Sequence, residues 1–312
     1  MTMASTISKA ATLLRNGGLV AFPTETVYGL GADATNDAAV ARIFAAKQRP
    51  QFNPLISHVA DIEAAFRFGV FSKDAEKLAA AIWPGPLTIV VERRKDCPIS
   101  LLCSAGLSSV ALRVPSHPLA LELLRTVDRP IAAPSANRSG RISPTTAEHV
   151  RASLGDAVDM ILDGGPSAVG LESTVVRFMN DGPYMLRFGG VARETLENIL
   201  GSRMMTPTRY DTDLHSPGQL ESHYAPQAQL RLNAAAPELG EAYLGFGKYS
   251  HGPWTLSKTG DMQEAAANLF KMLHAIDDSS LEHIAVAPIP VKGMGEAIND
   301  RLTRAAAPRP KS

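Results

Sequence analysis

The sequence contains only two cysteines, Cys97 and Cys103, among its 312 residues. No histidine lies near them at zinc-site spacing, so we expect reduced thiols and no structural zinc. The chain also lacks any run approaching the roughly 18 apolar residues that a membrane-spanning helix needs. Its first residues lack the basic segment and apolar core of a signal peptide. We therefore expect a cytoplasmic protein with no membrane partner.

The chain has no excess charge of either sign, because 31 basic residues balance 31 acidic ones. Nucleic-acid-binding surfaces are normally basic, so this balance argues against non-specific electrostatic binding of nucleic acid. A zero net charge is still compatible with a local basic pocket. The hydrophobic share of 45% is that of an ordinary globular protein.

Several catalytic signatures are absent as well. The sequence has no H-E-x-x-H, no paired C-x-x-C, no G-x-S-x-G and no P-loop, so covalent catalysis has no good candidate. The segment Gly29-Leu30-Gly31-Ala32-Asp33-Ala34 loosely satisfies the dinucleotide fingerprint, but residues 51–53 are neutral where that motif needs a carboxylate. On spacing alone, a tight turn is the favoured interpretation of these two glycines.

The chain does place polar residues at the ends of β-like runs, where α/β proteins build ligand sites. The run 19–22 stops at Pro23 and opens into P-T-E-T-V-Y-G-L-G. A helix predicted over 37–47 then ends in Lys47 and Arg49. The ammonium of Lys47 is a point charge, and the guanidinium of Arg49 is planar with several donors. Together they either complement the helix dipole or bind a polyphosphate.

Three later segments repeat the pattern: P-S-A-N-R-S-G over 134–140, E-S-T over 172–174, and R-F-G-G over 187–190. The first two can equally be polar turns. Arg113 lies inside an apolar strand, which is costly unless the guanidinium is paired or meets an anionic ligand, and both possibilities stay open.

The hydrophobic pattern predicts mixed helices and strands in two domains with a linker between them, at 1–201, 202–226 and 227–312. The predicted helices cover 5–15, 37–47, 72–82, 117–127, 146–154, 192–200, 262–276 and 295–305. The predicted strands cover 19–22, 54–59, 87–91, 110–114, 131–133, 160–162, 174–178, 184–187, 230–232, 242–246 and 283–287.

Taken together, these motifs closely resemble the threonylcarbamoyl-AMP synthase family of YrdC-like proteins, in its long two-domain form. P-T-E-T-x-Y-G-L-G, K-x-R-P, P-S-A-N-x-S-G and E-S-T-V occur in that order between about Leu13 and Gly201. S-P-G over 216–218 and H-Y-A-P over 223–226 resemble the linker of the long form. The resemblance implies an α/β fold with a YrdC-like twisted open mixed sheet, flanking helices and a smaller Rossmann-like α/β C-terminal domain.

The implied reaction converts L-threonine, bicarbonate or CO2, and ATP into threonylcarbamoyl-AMP, pyrophosphate and water. The product would serve threonylcarbamoyladenosine formation on tRNA through a separate transferase complex. Mg2+ is expected on the ATP phosphates, with no metal-binding residues of the protein assigned.

Site residues follow from the same resemblance. Lys47 and Arg49 are expected to be catalytic. The residues expected to bind ATP are Arg49, Asn53, Ser109, Ser135, Asn137, Ser143, Arg187, His223 and Tyr224. Those expected to bind threonine are Thr26, His58, Arg113, Ala133 and Ser173, with Arg113 on the carboxylate and His58 near the hydroxyl. The linker would fold over the cavity, although Q-L-E-S over 219–222 departs from the family's usual residues.

Two other functions stay open from the sequence. One is a module that binds double-stranded RNA or tRNA through the same concave face. The other is a carbamoyltransferase that forms carbamoyl adenylate from carbamoyl phosphate. Threonine-dependent consumption of ATP would separate the synthase from both.

Overall fold

The chain folds into two β-sheets, one in each half. The computed structural model describes residues 3–50, 53–207, 223–279 and 281–308. The helices are α1 (Met3–Arg15), α2 (Asp37–Lys47), α3 (Ile62–Phe66), α4 (Lys73–Ile82), α5 (Pro118–Val127), α6 (Ala147–Leu154), α7 (Arg193–Leu200), α8 (Met262–Asp277) and α9 (Gly295–Ala306). The strands are β1 (Val20–Phe22), β2 (Gly29–Asp33), β3 (Ile56–His58), β4 (Gly69–Val70), β5 (Leu87–Arg93), β6 (Ser109–Arg113), β7 (Ile131–Ala132), β8 (Met160–Ile161), β9 (Thr174–Met179), β10 (Gly182–Arg187), β11 (Gln229–Arg231), β12 (Glu241–Leu244) and β13 (His283–Val286).

The larger sheet is mixed, in the order β10-β9-β5-β6-β3-β7-β2-β1-β8, with β4 beside β5. The pairs β1–β8, β3–β6 and β5–β9 are parallel, whereas the other pairs are antiparallel. Helices cover both faces of this sheet. Successive residues of a strand point to opposite sides, so neighbouring residues pack against different helices. Val20 and Phe22 pack with α1 and α5, while Ala21 packs with the core that contains α2, α4 and α6.

Most predicted elements are present with bounds shifted by one or two residues, and helix caps account for several of them. Asn36, Ser72 and Thr146 each accept a hydrogen bond from the backbone N–H three residues later, at the start of α2, α4 and α6. Three elements, α3, β4 and β2, have no counterpart among the predictions.

The expected tight turn at Gly29 and Gly31 is wrong. Both glycines belong to β2, which pairs with β1 so that Gly29 faces Phe22 and Gly31 faces Val20. Space explains the residue type: a Cβ on Gly31 would lie 2.8 Å from the ring of Phe22 and 3.0 Å from the side chain of Ile131. Glycine here permits close packing of neighbouring strands.

The smaller sheet is parallel, in the order β11-β13-β12. Its core takes in side chains of α8 and α9, and also Val27, Ile142 and Leu171 from the N-terminal half. The two halves therefore share an apolar interface, which lies beside the loop that follows β1.

The predicted linker begins with ordered contacts. Met205 forms a parallel bridge with Tyr184, and its backbone exchanges hydrogen bonds with Pro183 and Met185. The motif at 216–218 and the departing residues 219–222 lie outside the described residues. Among the helices of the described ranges, none has the length and apolar character to cross a membrane.

Candidate active site

A polar pocket opens where several strands of the larger sheet end. It is lined by the loop after β1, the ends of β3, β6 and β10, and the segments that follow β7 and precede β9. The lining residues are Thr26, Val27, Arg49, Pro54, Leu55, Ile56, His58, Arg113, Ala133, Pro134, Ser135, Glu172, Ser173, Arg187, His223 and Tyr224. The open space is about 50 Å³. A single water needs about 10–15 Å³ by this measure, so this space admits a few water molecules.

Ten of the residues predicted from the sequence line this pocket. They are Thr26, Arg49, His58, Arg113, Ala133, Ser135, Ser173, Arg187, His223 and Tyr224. The other five predicted residues do not line it; they are Lys47, Asn53, Ser109, Asn137 and Ser143. Chain segments more than a hundred residues apart in sequence thus meet at one site.

The loop after β1 is held by the side chain of Thr24. Its hydroxyl accepts hydrogen bonds from the backbone N–H groups of Thr26 and Val27, both at 3.2 Å, and donates to the carbonyl of Val27 at 2.6 Å. Such hydroxyl-centred turns are local and determined by sequence. This turn places Thr26 and Val27 in the pocket wall.

Arg113 and His58 occupy opposing positions on the parallel strands β6 and β3. The buried guanidinium of Arg113 donates to Glu25 at 2.6 Å, and Glu25 also accepts the backbone N–H of Ser116 at 3.0 Å. The Nε atom of Arg113 is buried without a hydrogen-bond partner among the described residues. Of the two possibilities left open by the sequence, the structure shows the pairing, and contact with an anionic ligand stays a prediction.

His58 is neutral in this setting. Burial, followed by the neighbouring Arg113, lowers its pKa from 6.5 to about 3. Its Nδ1 atom has no partner within the described part of the chain. A neutral imidazole with a spare ring nitrogen can exchange a hydrogen bond with a ligand hydroxyl.

Two further arginines form the opposite wall. Arg49 is tethered to the carbonyls of Asn53 at 3.4 Å and Pro54 at 3.1 Å. Arg187 donates to the carbonyl of Ser173 at 3.0 Å and to its hydroxyl at 3.1 Å. Burial lowers the pKa of Arg49 to about 10, which leaves the side chain charged at neutral pH. The pocket therefore presents fixed positive charge.

Lys47 holds the loop after β7 instead of facing the pocket. Its fully buried ammonium donates to the carbonyls of Ser135, at 2.5 Å, and Asn137. Burial, together with the nearby Arg49, lowers the pKa of Lys47 well below its usual value. The same loop is fixed to β2 from the other side, because Leu30 and Tyr28 exchange backbone hydrogen bonds with Pro134 and Ala136.

The remaining predicted residues lie behind or away from the pocket. Ser143 donates to Glu172 at 2.5 Å. Asn53 and Asn137 are buried, and the Oδ1 of each lacks a partner among the described residues. Ser109 begins β6, whereas Arg113 ends it, so about 13 Å of strand separates them.

Comparison with known proteins shows the family of this chain. A family model covering the Sua5, YciO and YrdC proteins, described as "Telomere recombination", matches residues 12–189. A second model, "Threonylcarbamoyl-AMP synthase, C-terminal domain", matches residues 191–307. The threonylcarbamoyl-AMP synthase of Bacillus subtilis is 40% identical, over 97% of this chain and 93% of its own length. This chain belongs to the threonylcarbamoyl-AMP synthase family.

A solved structure supports the assignment of the synthase fold. The chain resembles the crystal structure of Pyrococcus abyssi Sua5 complexed with L-threonine, with a TM-score of 0.88 and 37% identity over 96% of this chain and 94% of that one. The synthase of Pyrococcus abyssi is 39% identical over 96% of this chain. The expected family, its long form, the fold class and the synthase activity are thereby confirmed.

Sequence reasoning missed Glu172 and Arg301 as site residues of this synthase. Glu172 lines the pocket and accepts hydrogen bonds from Ser143 and, at 2.9 Å, from Arg301 in α9. Burial alone would raise the pKa of Glu172, but Arg301 and Arg187 outweigh it, and the net pKa is lowered. Glu172 belongs to the E-S-T motif over 172–174. No local sequence pattern marks Arg301, because its partner lies in the other half of the chain.

The last wall of the pocket is the pair His223 and Tyr224. Tyr224 adopts a left-handed backbone with φ of 63°, unusual for a residue with a side chain. Its ring contacts that of His223, with centroids 3.9 Å apart, and stacks on Phe270 of α8 at 5.6 Å. Burial lowers the pKa of His223 to about 3. This wall is therefore aromatic, neutral and anchored in the C-terminal half.

Proposed function

We propose that this pocket holds L-threonine at the Arg113 and His58 end and ATP at the Arg49, Arg187 and Tyr224 end, with bicarbonate as the carboxyl source. As a member of its family, the chain forms threonylcarbamoyl-AMP by nucleotidyl transfer. The observation that carries the assignment of ends is that Arg113 and His58 are paired in register on β6 and β3, and that Nε of Arg113 and Nδ1 of His58 are buried with no partner among the described residues.

The threonine end matches the ligand group by group. A carboxylate suits the free donor of Arg113, because the bond would be charge-assisted and shielded from water. Neutral His58 suits the hydroxyl. The solved relative with bound L-threonine supports an amino-acid site in this fold.

The nucleotide end matches a polyphosphate. Arg49 and Arg187 are held by backbone carbonyls, so their charges are in place before ligand arrives. Preorganised positive charge stabilises the charge that develops on a phosphoryl group during transfer. Ser135 and the backbone of Ala133 would complete the contacts. Lys47 would act behind them, through the loop that it holds.

The reaction then needs no covalent enzyme intermediate. The threonine amine bonds to the carbon of bicarbonate with loss of water, which gives a carbamate. A carbamate oxygen attacks the α-phosphorus of ATP, the bond to the β-phosphate oxygen breaks, and pyrophosphate leaves. The residues named above contribute by positioning the reactants and by offsetting charge.

Magnesium would travel with ATP in this proposal. Among the described residues no cluster of three or more histidine, cysteine or acidic side chains could hold a metal ion. The two pocket-side carboxylates, Glu25 and Glu172, are already engaged by arginines. We therefore assign no protein ligand to Mg2+ and derive no step from it.

The His223–Tyr224 wall supports a further part of the proposal. Because His223 and Tyr224 line the pocket, this wall would move outward to admit ATP, and its return would exclude water from the adenylate. Release of the product would then supply a separate transferase that modifies tRNA.

Pyrophosphate release tests the proposal. The purified protein is incubated with ATP, Mg2+, bicarbonate and L-threonine, and each component is omitted in turn. We expect release to require threonine and bicarbonate, and to be lost in Arg113→Ala and Arg49→Ala. Arg151→Ala removes an exposed arginine, 54% accessible, and is the matched control. Release that needs carbamoyl phosphate instead of threonine, or RNA binding without release, would refute the proposal.

A further inference from the structure

Arg301 is a charged residue buried in the C-terminal half. It lies in α9, its side chain is 1% exposed, and it is the largest of the fully buried side chains. A buried guanidinium is costly unless its donors are satisfied and its charge is paired. The contacts of Arg301 should therefore explain why the fold retains it.

Its contacts extend into the N-terminal half. Nε donates to Glu172 at 2.9 Å, and Nη2 donates to the carbonyl of Phe188 at 2.8 Å. Nη1 donates to Asp300 at 2.6 Å. The guanidinium carbon also lies 4.9 Å from the centre of the Tyr224 ring. One planar group thus contacts two carboxylates, a carbonyl and an aromatic ring.

Two of these partners, Glu172 and Tyr224, line the pocket, while Arg301 does not. We propose that Arg301 is a positioning residue for the nucleotide end of the pocket: it fixes the carboxylate of Glu172 and the closed position of the Tyr224 ring. The C-terminal half would thereby shape the active site without touching substrate. This inference rests on the proposed function for the assignment of the nucleotide end.

The electrostatics favour the same role. Glu172 faces Arg301 and Arg187, with Tyr224, His223 and Lys47 also close enough to interact electrostatically. Arg301 is the largest influence that opposes the effect of burial on the pKa of Glu172. A charged Glu172 then keeps the hydrogen bond from Ser143 and balances the cations of the wall.

A lysine cannot replace this arginine. An ammonium on a flexible stem is a point charge, so it cannot donate to Glu172 and Phe188 at once while presenting a flat face to Tyr224. Arg301→Lys therefore keeps the positive charge that balances the buried Glu172, which folding needs, but it loses the planar arrangement of donors. It is the informative variant.

The interface offers a matched control on the same helix. Glu296 of α9 pairs with Arg193 of α7 at 3.2 Å, with side chains 26% and 20% exposed, and Glu296 does not line the pocket. Glu296→Gln weakens the contact between the halves without reaching Glu172 or Tyr224. It separates the effect of a weaker contact between the halves from the effect of a displaced Glu172 or Tyr224.

The experiment measures the KM values for ATP and threonine, the calorimetric affinity for ATP with Mg2+, and the Tm of each variant. In Arg301→Lys we expect the KM and Kd for ATP to rise about tenfold, the cost of one hydrogen bond to a charged group. The KM for threonine should change little. Glu296→Gln should keep both KM values. Asp300→Asn weakens the Nη1 contact of Arg301 and also the contact between Asp300 and Arg304, and it should shift the KM for ATP in the same direction by less.

An unchanged ATP affinity in folded Arg301→Lys would overturn the inference. Equal increases in both KM values with a reduced Tm would also overturn it, because that pattern indicates general loosening. If Arg301→Lys fails to fold, Asp300→Asn decides, and a wild-type KM for ATP in that variant counts against the inference. Failure of the proposed function looks different: wild-type protein would bind ATP and release no pyrophosphate with threonine, while the ATP affinities would still test Arg301.

Discussion

Arg113, which lines the pocket, forms a buried ion pair with Glu25 at 2.6 Å, with side chains 4% and 10% exposed. The pair explains how an arginine can occupy an apolar strand before any ligand binds. It also means that a ligand carboxylate would be the second anion on one guanidinium, using its unpartnered Nε.

Glu25→Gln should destabilise the free protein and make its stability depend on threonine. Removing one partner of a buried pair costs about 3–5 kcal/mol, because the remaining charge is left uncompensated. Threonine supplies a replacement carboxylate and should restore part of the unfolding free energy, whereas threoninol, which lacks the carboxylate, should not. Urea denaturation with each ligand measures both effects.

The control for this prediction is Glu148→Gln, which breaks the exposed pair with Arg151. It should leave stability close to that of the wild type, because exposed pairs contribute little. Equal rescue of Glu25→Gln by threonine and threoninol would contradict the prediction.

Acid should destabilise the fold through His58 and His223. Burial lowers the pKa of each from 6.5 to about 3. Below pH 6.5 the unfolded chain therefore binds protons that the folded protein excludes. The free energy of unfolding should fall as the pH drops from the unfolded pKa towards the folded pKa of each histidine, by up to about 1.4 kcal/mol per pH unit for each histidine.

Urea denaturation between pH 4 and 7 checks this prediction. His58→Gln and His223→Gln should each flatten the dependence on pH, while His283→Gln, at an exposed position, is the control. A pH dependence that neither buried substitution alters would show that other groups dominate acid unfolding.

Lys47→Met should lower stability and weaken the nucleotide end. The substitution leaves the carbonyls of Ser135 and Asn137 without their buried donor, at a cost of about 2–4 kcal/mol. Ser135 lines the pocket, so the KM for ATP should rise while the KM for threonine changes little. Lys77→Met, at an exposed position of α4, is the matched control. Full stability combined with abolished turnover would instead place the ammonium directly on the triphosphate.

The sequence alone determined the elements whose signals are local. Alternation and caps predicted most helices and strands, as Asn36 before α2 shows. Polar segments at strand ends located the pocket, and the presence of Arg113 in an apolar strand indicated an ion pair or a ligand. The helix caps lie within a few residues of chain, so the residue pattern carries them. The partner of Arg113 is Glu25, which lies 88 positions away, and the sequence did not name it.

Only the tertiary structure decided contacts between distant segments. Gly29 and Gly31 look like a turn in sequence, but pairing with β1 makes them a strand. The positive charge of Lys47 suits a phosphate ligand. Its side chain lies behind the loop after β7, however, and its ammonium donates to backbone carbonyls there. Arg301 reaches Glu172 across 129 positions of sequence. No local pattern encodes such a pair, because it exists only once the two halves have packed together and excluded water.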